Sequence, residues 1–120
     1  MKYLVIIYGN QALWNSFPAD EMRAAIAAQD GFNKKFFDTG ELLGAYGLAD
    51  AAQANVIRVR DNVPAVTDGP YLETKEYLGS FYLLDVESRE RALEISAQIP
   101  FASYNAVEMW PILHDGGADM

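Results

Sequence analysis

Asp68-Gly69-Pro70-Tyr71-Leu72-Glu73-Thr74-Lys75-Glu76, with the apolar run Phe81-Tyr82-Leu83-Leu84 close behind it, decides how this chain is read. Gly69 tolerates backbone angles that other residues avoid, and Pro70 fixes its own φ, so the stretch is a turn. Residues 80 to 86 then read as a buried strand, with Tyr82, Leu84 and Val86 on one face and Phe81 and Leu83 on the other. Four ionisable side chains therefore crowd a turn at the mouth of a strand, where a scaffold can hold them.

Working outward, Ser88 is a good N-cap for a helix whose Ala92, Ile95, Ser96 and Ile99 face inward until Pro100. Residues 105 to 113 form a closing strand, and 114 to 120 a flexible tail. On the N-terminal side of the turn, residues 55 to 60 alternate, with Ile57 and Val59 opposite Arg58 and Arg60. Asp61-Asn62 then turns the chain into a short strand at 65 to 68. Residues 42 to 48 are a strand bent at Gly44 and Gly47.

Before them, Pro18, Asp20 and Glu21 mark a helix start. Its core stripe is Met22, Ala25, Ile26, Gln29, Phe32 and Phe36, and Gly40 is its stop. Residues 10 to 16 read as a polar loop, and 3 to 8 as a first strand, apolar on both faces.

The order strand, helix, strand, hairpin, strand, helix, strand is the split βαβ plan: an α+β, ferredoxin-like βαββαβ domain with an inserted β-hairpin over residues 1 to 113. Its antiparallel sheet would carry two helices on one face. Three strands are apolar on both faces, so the uncovered face exposes more apolar surface than soluble monomers tolerate. A homodimer packed through the open sheet face follows.

A chain of 120 residues, 51% of them hydrophobic, is one domain in size. No cysteine is present, which removes disulfides and thiol chemistry and suits a reducing cytoplasm. The opening apolar run stops at Gly9-Asn10, too short to span a bilayer. A net charge of -8 with scattered basic residues disfavours nucleic acid.

The motif residues each carry two readings. Asp68 cannot close the usual Asx turn onto Pro70, which has no N–H, so it either bonds the amide of Tyr71 or takes a proton as a catalytic base. Tyr71 either packs or stacks on a ligand. Glu73, Lys75 and Glu76 form a solvated ionic cluster or a substrate-binding set in which paired carboxylates divide acid and base roles. His114-Asp115 lacks neighbouring ligands at metal spacing, and no glycine-rich phosphate loop occurs. Neither a metal nor a cofactor is expected.

From Met1 to Leu113 the chain resembles the DGPF branch of the YCII-related family. The resemblance is carried by Lys2-Tyr3, Ile6-Ile7-Tyr8, Thr67-Asp68-Gly69-Pro70-Tyr71, Glu73-Thr74-Lys75-Glu76, Leu78-Gly79-Ser80-Phe81-Tyr82-Leu83, Ala106-Val107-Glu108 and Pro111. It implies a bacterial protein forming a dimeric α+β barrel. Tyr71 replaces the phenylalanine of the branch name, Leu72 a small residue, and Trp110 a common arginine. Some relatives are proposed to use a histidine–aspartate pair, and one resembles a dehydrochlorinase of chlorinated hydroxyquinones. His114, the only histidine, lies outside the motif, so no catalytic histidine carries over.

Two functions follow. One is a small enzyme doing acid–base chemistry on a small aromatic molecule, with Asp68 as the base or its orienter and Tyr71, Glu73, Lys75 and Glu76 against the substrate. The other, implied by the branch's genomic neighbourhood, is a noncatalytic accessory protein partnering an extracytoplasmic-function sigma factor.

Overall fold

The computed structural model describes residues 1–72 and 74–116. Its strands and helices run β1 (Lys2–Gly9), α1 (Gln11–Asn15), α2 (Ala19–Asp38), β2 (Leu42–Gly47), β3 (Asn55–Arg60), β4 (Val63–Asp68), β5 (Tyr77–Asp85), α3 (Arg89–Ser96) and β6 (Val107–Pro111). Four strands pair antiparallel in the order β2-β5-β1-β6, and β3 and β4 make a separate two-stranded sheet. This is the ferredoxin-like α+β fold with its hairpin insertion.

Local signals set the element ends. The Ser88 hydroxyl accepts from Arg91 N at 3.1 Å and starts α3. Gly40 takes φ +82 just beyond α2, where a side chain would be strained. Asp61 and Asn62 take φ 50 and 64, the left-handed pair that a tight two-residue hairpin turn demands.

One face of the main sheet carries the core. Tyr3, Val5 and Ile7 of β1 pack with Leu42, Tyr82 and Leu84 beneath Phe32 and Phe36 of α2 and Ala92 and Ile95 of α3. Phe32 stacks on Tyr82 with ring centroids 5.6 Å apart, and burial pushes the Tyr82 phenol well above its usual range. Arg91 clamps Glu41 through two hydrogen bonds of 2.8 and 2.9 Å, tying α3 to the start of β2. That bidentate contact holds the Glu41 carboxyl below the ordinary carboxylate range.

Neither α2 nor α3 covers the opposite face. Cross-strand register puts Leu4 beside Leu83 and Trp110, Ile6 beside Phe81, and Tyr46 beside Phe81, all on that side. Tyr46 and Trp110 are exposed, and Leu4, Ile6, Phe81 and Leu83 are half-buried.

Four sequence expectations are corrected. Residues 11 to 15 are helical, because the Asn10 side chain accepts from Leu13 N and caps the turn instead of extending a loop. Ile26 is 49% exposed: next to Ala25 on α2, it is carried about 100° around the helix and off the buried stripe. β5 begins at Tyr77, three residues before Ser80, and β6 is confined to Val107–Pro111. Of the expected tail 114–120, residues 114–116 are described, with Asp115 accepting from Lys2 Nζ at 2.9 Å, and residues 117–120 lie outside the described residues, so that expectation stands as it was.

Bulges re-aim the sheet edge. The β1–β5 register shifts between Ile7 and Tyr8, which leaves Gly79 as the extra residue. A Cβ there would sit 3.1 Å from Ile7 O and 3.2 Å from Gly9 N, both backbone atoms that cannot swing away. Gly79→Ala is expected to destabilise the fold by about 1–3 kcal/mol in urea unfolding; an unchanged midpoint would show that the bulge is dispensable.

Candidate functional site

The bulge opens the end of the sheet. Beyond β2 the chain turns along β5, where Leu48 N donates to Gly79 O at 2.9 Å, and then makes a short 3-10 turn, Ala51–Gln53, before the hairpin. A cleft of about 600 Å³ lies between this loop, the base of the hairpin and the first residues of β5. Leu48, Ala49, Ala54, Val56, Ile57, Pro70 and Leu78 supply apolar wall, and Asp50, Gln53, Asn55, Tyr71 and Tyr77 supply polar groups. A second hollow of about 270 Å³ shares Leu48, Ala49, Asp50 and Tyr77 with it and adds Tyr8, Gln11, Trp14 and Ser80.

Tyr77 lies over Gly9, where a Cβ would come within 2.5 Å of the ring; Gly9 therefore makes room for it. Trp14 of α1 meets Phe101 edge-on at 5.4 Å and Phe17 at 5.7 Å, so an aromatic cluster anchors the helix that bounds the smaller hollow.

The motif residues distribute around this region. Asp68 ends β4 opposite Asn55 and accepts from its Nδ2 at 3.1 Å. Gly69, at φ +91, donates its N–H to Ala54 O at 2.7 Å and seals the hairpin base. Tyr71 lines the large cleft, is 71% exposed, and lies beneath the Arg58 guanidinium at 5.2 Å. Lys75 is exposed. Glu73 lies outside the described residues.

Glu76 sits elsewhere, against the end of β1. Its carboxylate accepts from Asn105 Nδ2 at 2.8 Å and Asn10 Nδ2 at 3.2 Å, and Asn105 also donates to Tyr8 O. These donors, Asn105 first, hold the Glu76 carboxyl below its ordinary value. Three distant segments meet on that one side chain. Thus Asp68, with Asn55, and Tyr71 gather at the large cleft, whereas Glu76 closes a separate network.

On the open face, Tyr8 Oη and Trp110 Nε1 donate to the same Glu108 oxygen at 3.0 and 2.6 Å. The Glu108 contact raises the Tyr8 phenol above its usual value. Trp110 thus presents Glu108 with an N–H donor.

Asp50 and Tyr77 were invisible as site residues in the sequence. The lone carboxylate in the apolar stretch 48 to 52, just after a strand, is the one available signal. Among the described residues no group of three or more potential metal ligands occurs, and no helix is long and apolar enough to cross a membrane.

The fold and edge cleft define a ferredoxin-like α+β domain with a concave site at one end of its sheet. The chain belongs to the YCII-related domain family, whose profile matches residues 1–114. It is 27% identical over 103 residues to an uncharacterized protein of Rhizobium meliloti (strain 1021), covering 86% of this chain and 83% of that one. Among solved structures, it is similar to the 5-chloro-2-hydroxyhydroquinone dehydrochlorinase of Burkholderia phenoliruptrix AC1100 in complex with 2,5-dihydroxybenzoquinone. The two share 15% identity over 96% of each chain, with a TM-score of 0.49.

The depressed Glu76 carboxyl makes the latch pH-dependent. Its contribution is complete above the unfolded carboxyl value of 4.5 and fades as pH falls through the lower folded value. Glu76→Gln should lower the melting temperature at pH 7, and the gap from wild type should narrow in melts taken progressively below pH 4.5. A gap that persists undiminished at the lowest pH would contradict the assignment.

Proposed function

We propose that the protein binds a small, largely apolar aromatic molecule in the 600 Å³ cleft and carries out proton transfer on it, working as a homodimer. The cleft itself carries this reading. Its volume and its apolar lining, broken by a few polar side chains, match the ordinary form of a small-molecule site. Tyr71 and Tyr77 offer ring faces and hydroxyls to a planar ligand. Asp50 is the carboxylate in the lining and takes the role of general base.

Asp68 acts one step back. By accepting from Asn55 Nδ2 it orients a carboxamide that lines the cleft, so it is a positioning residue and Asn55 the contact. The homodimer is supported by the open sheet face, whose Leu4, Ile6, Phe81 and Leu83 would otherwise stay wet. An accessory role beside a sigma factor rests on the branch resemblance alone.

2-Tetralone, an aromatic ketone with an acidic C–H, is a suitable probe. In deuterated buffer, wild type should bind it saturably and speed deuterium uptake at C1, read by proton NMR. Tyr71→Ala should weaken binding by about tenfold. Asp50→Asn should keep the affinity and lose the catalysed exchange. Absence of saturable binding would remove the site, and undiminished exchange in Asp50→Asn would remove the base.

A further inference from the structure

The hairpin β3–β4 is the least explained part of the chain. Cross-strand register places Ile57 against Val66 and Val59 against Pro64, so these four side chains form one continuous apolar face. All four are exposed: Ile57 is 67% exposed, Val59 64% and Val66 63%. Arg58 and Arg60 project from the other face, beside Ala65 and Val63. A two-stranded ribbon of six residues a side is at best marginal alone in water, and it needs a third layer on its apolar face. Among the described residues none covers it: the ribbon is a sheet apart from the main one, and its apolar side chains stay exposed.

The chain is correspondingly expanded. Its radius of gyration is 16.6 Å, against about 14 Å for a compact domain of this length. The ribbon is an arm.

We propose that this arm lays its Ile57, Val59, Pro64 and Val66 face on a second copy of the chain and that the ligand cleft at its base is complete only when it does so. Three observations select a second copy as the occupant. The same chain offers a second uncovered apolar surface, the open sheet face bearing Leu4, Ile6, Phe81 and Leu83, and a two-fold pair satisfies both needs twice. The arm holds two arginines and two aspartates and is neutral, so the chain's charge of -8 lies outside it. It thus approaches another acidic copy without net charge repulsion. Finally, the apolar face runs unbroken into the cleft, since Ile57 belongs to both. A partner seated on the arm therefore extends across the mouth of the cleft.

This inference deepens the proposed binding reading, and two measurements separate their failures. Because the chain has no cysteine, Val59→Cys gives a single attachment point for benzophenone-4-maleimide at the arm's apolar face. Photolysis of mixed isotopically light and heavy copies should give doubled-mass products joining arm to body between copies. Products confined within one chain would overturn the arm's docking. So would capture of the arm by phosphatidylcholine vesicles in preference to protein, which would mark it as a membrane wedge.

The second measurement uses Val59→Lys with Pro64→Glu, an opposed cross-strand pair that removes the apolar face, keeps the ribbon paired and leaves every cleft-lining residue in place. N-phenyl-1-naphthylamine fluorescence should show affinity reduced by about tenfold or more in this variant. Unchanged affinity there, with Tyr71→Ala still weakened, would show that the cleft binds alone and would overturn the composite site. Intermolecular cross-links without any probe binding to wild type would keep the arm and remove both the composite site and the binding reading beneath it.

Discussion

A sheet that is apolar on both sides but roofed on one constrains every other feature of this protein. Phe32, Phe36, Ala92 and Ile95 close the side carrying Tyr3, Val5, Tyr82 and Leu84, and that contact is the core. Helices α2 and α3 lie on this one face, leaving Leu4, Ile6, Phe81 and Leu83 on the other half-buried. Burying such side chains is worth about 25 cal/mol for each Å² of apolar surface removed from water, so the bare side is a strong drive toward association.

The same geometry places the candidate chemistry at a sheet end instead of in the core. Gly79 bulges out of β5, the chain from β2 is held against it through Leu48 and Gly79, and the hairpin departs from there. The cleft is the space between these departures. Loops held by a rigid sheet commonly carry function in this way: Asp50 and Tyr71 come from two such loops, and Asn55 and Tyr77 from the strand ends beside them. The most conspicuous sequence feature, the turn from Asp68 to Glu76, contributes Pro70 and Tyr71 to the wall, sets Asn55 through Asp68, and ends in the Glu76 latch.

Much of the architecture was legible because its signals are local. Ser88, Gly40 and the Asp61-Asn62 pair each dictate backbone geometry within a few residues, and the short β-branched and aromatic apolar runs at residues 3 to 8 and 80 to 86 mark strands by themselves. Asn10 misled because a short polar side chain reads as loop and as helix cap alike. The site was harder for a physical reason: Glu76 finds its partners 66 and 29 residues away, and the cleft joins segments that touch only after the strands register. Asp68 was legible as a special aspartate, but its partner on the facing strand was not.

The central claim is that the bare side of the sheet is hidden by an identical chain. Sedimentation equilibrium over a wide dilution series tests it most directly. The account predicts a species of twice the 13.3 kDa chain mass that persists to micromolar concentration and below. A single 13.3 kDa species throughout that range, with the aromatic side chains of the open face fully reactive to solvent, would contradict it.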